Sequence, residues 1–320
     1  MKCLVGILFA GIVFCSSAES GEKRLMVPVK QAGETGKNQQ ANPGFAILSG
    51  MNPRMSEVLA QHGIPRITMV YTGRLWPHTK SSQQRKDLPN QETVEAIAKE
   101  ISPNLRTLVA FDIEHWPLDI RKTAFKDSDD ILSGDFAQAE ESREKLIQIL
   151  RWAKAANPSL KYGYYSCVPI RDYFTPVGKD PGKLKQWQAA NDVLLPLADA
   201  ADVLFPSLYT FYEDQKGWQQ YARGVIGEAK RLAKGKPIYV FLWPRYHGSN
   251  KALGNRLVAG DFWGIQLETV YSEGVRGIVI WGASREKWEP EAQWWQETQA
   301  FMSRKGIQIN TNSSGTSPKL

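Results

Sequence analysis

Short apolar runs alternate along most of the chain with segments of helical spacing. The segments 94–101 and 146–153 place apolar residues at i, i+3, i+4 and i+7, which predicts helices with one buried face. The runs of apolar and β-branched residues predict strands at 45–48, 66–71, 107–113, 161–166, 202–206, 237–242 and 276–281. Further helices are predicted near 53–62, 183–198, 217–233, 258–273 and 287–304.

This order of elements determines the expected fold class. Strands that alternate with helices pair in parallel, because each helix returns the chain to the end of the sheet at which the previous strand began. The first run is not followed by a glycine-rich phosphate fingerprint, so a closed barrel is favoured over an open nucleotide-binding sheet. We therefore predict an α/β fold: a distorted (β/α) TIM-like barrel of seven or eight parallel strands, forming a single domain over 43–306.

The first eighteen residues have the pattern of a secretory signal. Lys2 precedes an apolar core at 4–14, and a small-residue cleavage site ends at Ala18. The apolar core is too short to span a membrane. A lipoprotein anchored at Cys15 is the weaker alternative, because Phe14 is a poor residue before a lipidated cysteine. We predict a secreted or periplasmic protein without a membrane span.

The two ends of the predicted domain are polar. Residues 19–42 are expected to form a flexible lead-in, and 307–320 a disordered tail. Cleavage near Ala18 would leave Cys167 as the remaining cysteine, so no disulfide framework is predicted. A buried thiol is favoured there over a nucleophile.

The net charge of the chain narrows the class of its binding partners but does not identify one. The formal net charge is +7 and the pI about 9.2. Such a balance favours an anionic partner: nucleic acid, a membrane surface or an acidic polysaccharide. Nucleic acid is disfavoured, since the chain has no recognition motif for it and begins with an export signal.

Two acids at the end of the third run are the candidate catalytic residues. Alternate side chains of an extended strand share a face, so Asp112, Glu114 and Trp116 should project together while the strand lasts. Paired carboxylates beside an aromatic wall suit general acid/base chemistry. Because two such carboxylates repel each other when ionised, the pKa of one should be raised.

Other polar and aromatic residues collect where the runs end. In a parallel barrel these strand ends carry the active site. The candidates are Tyr71, Trp76, Tyr164, Tyr165, Tyr173, Tyr209, Trp243, Arg245 and Trp281. The four histidines, His62, His78, His115 and His247, lack metal-ligand spacing. This pattern predicts a carbohydrate cleft without a metal or other cofactor.

Five segments together resemble a known family. Asp112-Ile-Glu-His-Trp116 resembles Asp-Trp-Glu-Glu-Trp, and 162–165 (Tyr-Gly-Tyr-Tyr) resembles Trp-Gly-Tyr-Tyr. Residues 202–209 are similar to a Leu-Pro-Ser-Val-Tyr element, 236–240 to a Pro-Val-Tyr-Val strand, and 277–284 to Gly-Ile-Val-Ile-Trp-Gly-Ser-Ser. These motifs occur in the same order in glycoside hydrolase family 56, the hyaluronidases. The lack of a disulfide framework indicates a divergent, bacterial member.

The resemblance implies an endo-hydrolase with a retaining, substrate-assisted mechanism. By position, Glu114 would be the general acid and then the base, and Asp112 would hold the substrate N-acetyl group. Tyr165 and Tyr209 would hydrogen-bond that group and the acids, while Trp281 would contact the acetamido methyl. No enzyme nucleophile or metal is implied.

Three departures from the family pattern affect this expectation. His115 replaces the second acid of the Glu-Glu pair, and Pro117 replaces an arginine. Around 166–173 the alignment needs a gap, so Tyr173 is an alternative to Tyr165.

The expected function is hydrolysis of a β-linked, N-acetylhexosamine-containing glycosaminoglycan of the hyaluronan or chondroitin type by a monomer. The residues expected to bind this anionic polysaccharide are Tyr71, Trp76, Trp116, Tyr164, Tyr173, Trp243 and Arg245. The alternatives are a chitinase-like enzyme, although Asp-x-x-Asp-x-Asp-x-Glu is missing, and a catalytically silent carbohydrate-binding barrel.

Overall fold

The computed structural model describes residues 44–79, 85–102, 107–121 and 135–307. All of them belong to one compact unit that spans 40–320. The predicted signal with Cys15, the lead-in at 19–42 and residues 308–320 of the predicted tail lie outside the described residues. Within the described ranges, every helix is too short or too polar to cross a lipid bilayer.

Strands and helices alternate as predicted. The strands are β1 (Ala46–Gly50), β2 (Thr68–Tyr71), β3 (Leu108–Asp112), β4 (Lys161–Tyr164), β5 (Tyr239–Leu242) and β6 (Gly277–Trp281). The helices are α1 (Pro53–Gln61), α2 (Thr72–Leu75), α3 (Gln91–Glu100), α4 (Phe136–Ala156), α5 (Phe174–Gly178), α6 (Pro181–Asp192), α7 (Leu195–Ala200), α8 (Gln215–Ala233), α9 (Gly260–Ser272) and α10 (Gln293–Lys305). The short helices α2 and α5 were not predicted.

Side-chain caps determine where several helices begin. The Asn52 side chain accepts a hydrogen bond from Met55 N, and Pro53 begins α1 with a backbone angle that already suits a helix. Asp135 and Gln138 form a reciprocal capping box at the start of α4. Each cap satisfies amide groups that would otherwise lack a partner in the first turn.

The strands form two parallel three-stranded sheets, in the orders β1-β6-β5 and β2-β3-β4. Tyr71 pairs with Asp112, and Phe111 pairs with Tyr164. Gly50 pairs with Trp281 at the corresponding end of the other sheet. These registers bring the carboxyl ends of neighbouring strands level with one another.

Isolated parallel bridges connect the edges of the two sheets. Ser49 bridges to Arg66 on one side; on the other, Tyr165 bridges to Phe205 and Ser207 to Phe241. The segment predicted as a strand at 202–206 is therefore a series of single bridges, because Pro206 has no N–H to continue a ladder. The α/β fold with parallel strands is confirmed, and the described residues contain six regular strands rather than seven or eight.

Alternation along the strands separates two hydrophobic clusters. On β5, Val240 and Leu242 belong to the larger cluster, which also includes apolar residues of the helices. Tyr239 and Phe241 belong to the smaller one, with Ala110 of β3. Asp112 follows Ala110 by two residues, so it continues the face of the smaller cluster to the strand end.

Candidate active site

A cavity lies at the carboxyl ends of the strands. Its volume is about 160 Å³. It is lined by Met69, Asp112, Glu114, Tyr165, Tyr209, Trp243, His247 and Trp281. Six of these eight residues are sequence candidates, and they come from segments far apart in the chain.

The two acids reach the cavity from the end of β3. The Thr72 hydroxyl donates to the carbonyl oxygen of Asp112 over 2.8 Å, which ties this strand end to the start of α2. Glu114 lies just beyond the strand and still faces the cavity. The chain bends at 115–116, so the alternation that orients the acids does not extend to Trp116.

Trp116 and Trp76 pack into the interior away from the cavity lining. Their rings meet edge-on at a centroid distance of 5.6 Å, and Trp116 Nε1 donates to Arg85 O over 2.9 Å. His115 Nε2 lies 3.0 Å from the same carbonyl oxygen, and burial lowers the pKa of this imidazole. The departure from the family pattern at His115 thus lies outside the cavity lining.

Tyr165, and not its neighbour Tyr164, lines the cavity. The Tyr165 hydroxyl donates to Ser207 Oγ over 3.2 Å, and its ring packs 5.9 Å from that of Tyr209. The Tyr164 hydroxyl donates instead to Leu146 O over 2.8 Å, within the core. The two side chains diverge because successive residues of a strand point to opposite faces.

Tyr209 keeps its proton over a wide pH range. Burial is the largest cause that raises the pKa of its phenol well above 10.0, and Tyr165, Asp112 and Glu114 raise it further. A neutral phenol can donate a hydrogen bond to an oxygen held in the cavity. Burial also raises the pKa of Tyr71.

Three aromatic rings form one wall of the cavity. The Trp281 ring lies 5.6 Å from Tyr209 at an interplanar angle of 30°, and Trp243 meets Trp281 edge-on at 4.9 Å. Trp281 Nε1 donates to the Tyr71 hydroxyl over 3.4 Å. Tyr71 is 43% exposed, so it stands at the rim. Flat apolar walls with few polar groups are typical of sugar sites.

Arg245 and Tyr173 are placed outside the cavity lining. Arg245 Nε lies 3.0 Å from both carboxylate oxygens of Glu286, which is the largest cause of its raised pKa. Tyr173 packs against Tyr212 at a centroid distance of 5.0 Å, in an aromatic group that does not line the cavity. Of the two tyrosines left open by the sequence, Tyr165 is the one beside the acids.

Cys167 is a buried thiol next to the site. Burial, followed by the charges of Glu114 and Asp112, raises its pKa, so the thiolate is disfavoured at neutral pH. No group of three or more His, Cys, Asp or Glu side chains in the described part of the chain could hold a metal ion.

Two lining residues, Met69 and His247, were not among the sequence candidates. Met69 is two residues before Tyr71 on β2, so strand alternation alone would have identified it. His247 follows Trp243 by four residues in the loop after β5, and its Nδ1 lies 2.8 Å from Ser249 Oγ. Since that loop is irregular, no periodicity signals which way His247 points.

Known structures resemble this fold. No protein-family model matches the chain, and no curated protein sequence matches it either. Bee venom hyaluronidase superposes with a TM-score of 0.54 at 16% identity, over 81% of this chain and 97% of that chain. Its complex with a hyaluronic acid tetramer superposes with a TM-score of 0.55 at 16% identity, over 83% of this chain and 97% of that chain. An endo-1,4-beta-D-mannanase from Thermotoga petrophila superposes with a TM-score of 0.44 at 12% identity, over 77% of this chain and 76% of that chain. At 16% identity, the likeness to bee venom hyaluronidase is one of fold.

Proposed function

We propose that the protein is a glycoside hydrolase that cleaves a β-linked, N-acetylhexosamine-containing glycosaminoglycan of the hyaluronan or chondroitin type. The observation that carries the proposal is the meeting of Asp112, Glu114, Tyr165, Tyr209 and Trp281 in one cavity. They come from four of the five segments that resemble the hyaluronidase family. The parallel fold brings these strand ends together, and the residue types that meet there are those that the resemblance requires.

The proposed reaction is retaining and substrate-assisted. Glu114 donates a proton to the glycosidic oxygen as its bond to the anomeric carbon breaks. The carbonyl oxygen of the substrate acetamide attacks that carbon from the opposite face, while Asp112 accepts a hydrogen bond from the acetamide N–H. Glu114 then removes a proton from water, which opens the cyclic intermediate and restores the configuration.

The remaining lining residues fit these roles. The neutral hydroxyl of Tyr209 can donate to the acetamide oxygen, and the Trp281 ring provides an apolar wall for the methyl group. A cavity of about 160 Å³ is smaller than the ~300–1,000 Å³ of pockets for whole small ligands. It is suited to the part of a polymer that carries the acetamido group.

The proposal also covers how the two sheets close into a barrel and where the protein is located. The two sheets and the bridged residues around 204–207 would form one distorted (β/α) barrel of seven strand segments, since bridges connect them on both sides. Membership of the hyaluronidase family, export through the signal at 1–18 and a monomeric state belong to the same proposal.

The decisive experiment compares wild type, Glu114→Gln and Glu57→Gln on hyaluronan, chondroitin and chitin oligosaccharides. Glu57 is an exposed glutamate of α1 and serves as the matched control. Loss of general acid catalysis should reduce reducing-end release by about 10²–10⁴ in Glu114→Gln alone. Unchanged release in that variant would contradict the role of Glu114.

The same panel separates the alternatives. Cleavage of chitin alone would indicate a chitinase-like enzyme. Binding of glycan without turnover by the wild type would indicate a silent binding barrel.

A further inference from the structure

We propose that Phe174 and Tyr212 form a second glycan-binding subsite, which we call the aromatic platform, for the same polysaccharide chain that enters the cavity. This inference rests on the proposed function. It assigns the platform to a sugar ring of the polymer beyond the one that is cleaved.

The platform is exposed although its rings are large and apolar. Phe174 is 45% exposed and Tyr212 is 41% exposed. Their ring centroids are 6.1 Å apart. Adjacent exposed aromatics at the active face of an enzyme form an apolar patch, and such patches mark binding surfaces more often than isolated apolar residues do.

Tyr173 supports the platform from below. Its ring meets Phe174 edge-on at 5.3 Å and Tyr212 edge-on at 5.0 Å, and it packs against Tyr221 at 5.2 Å. Gly217 leaves room for this arrangement, because a Cβ there would lie 2.7 Å from the Tyr173 hydroxyl oxygen. The two exposed rings are therefore held in place before any ligand arrives, which reduces the entropy lost on binding.

A series of ring contacts connects the platform to the cavity. Tyr212 lies 6.4 Å from Phe211, Phe211 lies 4.9 Å from His247, and His247 lies 6.2 Å from Tyr209. His247 and Tyr209 both line the cavity.

Hydrogen bonds to two backbone carbonyl groups hold this path in place. His247 N donates to Thr210 O over 2.7 Å, and Asn250 Nδ2 donates to Phe211 O over 2.7 Å. The platform thus continues the surface of the proposed active site.

The chemistry of the surface suits a polysaccharide. Aromatic faces stack on the C–H faces of pyranose rings, and a polymer in the cavity must extend beyond it in at least one direction. The Arg171 guanidinium lies over the Phe211 ring at 5.3 Å, whereas the exposed acids Glu213 and Asp214 follow Tyr212. Stacking on the apolar faces of the sugars, and not charge, is therefore what the platform offers a polysaccharide.

The test measures the affinity of hyaluronan and chondroitin oligosaccharides, from a tetrasaccharide to a decasaccharide, by calorimetry. The parent is Glu114→Gln, which keeps the ligand intact. The platform is removed by Phe174→Ala with Tyr212→Ala in that parent. Phe136→Ala is the control, because Phe136 is a 53% exposed aromatic at the start of α4.

Affinity of the parent should increase with chain length, and the platform variant should lose about tenfold on the long chains only. The control should bind like the parent. Equal binding of long chains by the parent and the platform variant would overturn the platform while leaving the proposed function intact. Absence of binding of both glycans at every length in the parent would contradict the proposed function, and the platform with it.

Discussion

The indole of Trp281 donates a hydrogen bond to the hydroxyl of Tyr71 over 3.4 Å, although the two residues are 210 positions apart. This bond joins the end of β6 to the end of β2 at the rim of the cavity. It orients one of the three rings that form the aromatic wall of the cavity.

Tyr71→Phe removes the acceptor of that bond and keeps the ring. A partly exposed hydrogen bond contributes about 0.5–1.5 kcal/mol, so the free energy of unfolding should change by about 1 kcal/mol or less. A less firmly held Trp281 should raise KM several-fold, with a smaller effect on kcat. Steady-state kinetics and urea unfolding measure these quantities. A KM equal to that of the wild type would show that the bond does not orient the wall.

Asp112→Asn tests whether the substrate acetamide takes part in the reaction. The neutral side chain cannot stabilise the positive charge that develops on the acetamide, so kcat should fall by about 10²–10⁴. A substrate without N-acetyl groups should be cleaved by the wild type at least as slowly, since it lacks the nucleophile as well as the group that Asp112 holds. Because both changes remove the same interaction, their effects on kcat/KM should not add. Additive losses would place Asp112 in another role.

Arg121 connects the loop after β3 to the loop after β4. Its guanidinium pairs with Asp119 at 2.7 Å and with Asp172 at 2.6 Å, and the three side chains are 15%, 7% and 9% exposed. Arg121→Met would leave two buried carboxylates without their cation, which should reduce the free energy of unfolding by about 3–5 kcal/mol. Urea unfolding measures the change.

Arg304→Met is the comparison for that variant. Arg304 pairs with Glu297 at 2.6 Å, but its side chain is 47% exposed. Loss of such a surface pair should cost about 1 kcal/mol or less. Equal destabilisation by the two variants would show that burial of the Arg121 network contributes nothing.

Buried tyrosines predict a loss of stability at high pH. The folded protein raises the pKa of Tyr164 and Tyr209 well above 10.0. Above that pH the unfolded chain releases these protons while the folded chain keeps them, so stability falls as pH rises, by up to about 1.4 kcal/mol per pH unit for each group. Below pH 10 this loss is absent.

Replacing either tyrosine by phenylalanine removes an ionisable hydroxyl group. The free energy of unfolding should therefore fall less steeply as the pH rises. Urea unfolding of Tyr164→Phe and of Tyr209→Phe at several pH values above 9 should show a shallower slope than the wild type. The double variant should be flatter still. A slope unchanged by both substitutions would mean that other groups cause the alkaline unfolding.

Strand positions were predictable because each buried strand is a short apolar run between polar segments. The run at 107–113 contains β3, and the run at 237–242 contains β5. The location of Asp112 and Glu114 at a strand end followed from the same pattern. The sequence alone does not show which side chains meet in space. We expected the carboxyl ends of the strands to meet because parallel strands carry the active site at that end.

The positions of side chains beyond the strand ends were less predictable. Trp116 was expected beside the acids, yet the chain bends after β3 and Trp116 packs against Trp76 instead. His247 was rejected as a metal ligand and was not selected for the site, yet it lines the cavity from a loop. In both cases tertiary packing, which has no local sequence signal, decides the direction of the side chain.

The cavity lining extends from Met69 to Trp281, and its eight residues come from six separate segments of the chain. Contacts of such large sequence separation form late in folding, because loop closure must precede them. The proposed hydrolase activity should therefore return, during refolding, with the final cooperative step. Fragments that end before β6 would lack the Trp281 wall whatever local structure they keep, so recovery of activity measures completion of the whole fold.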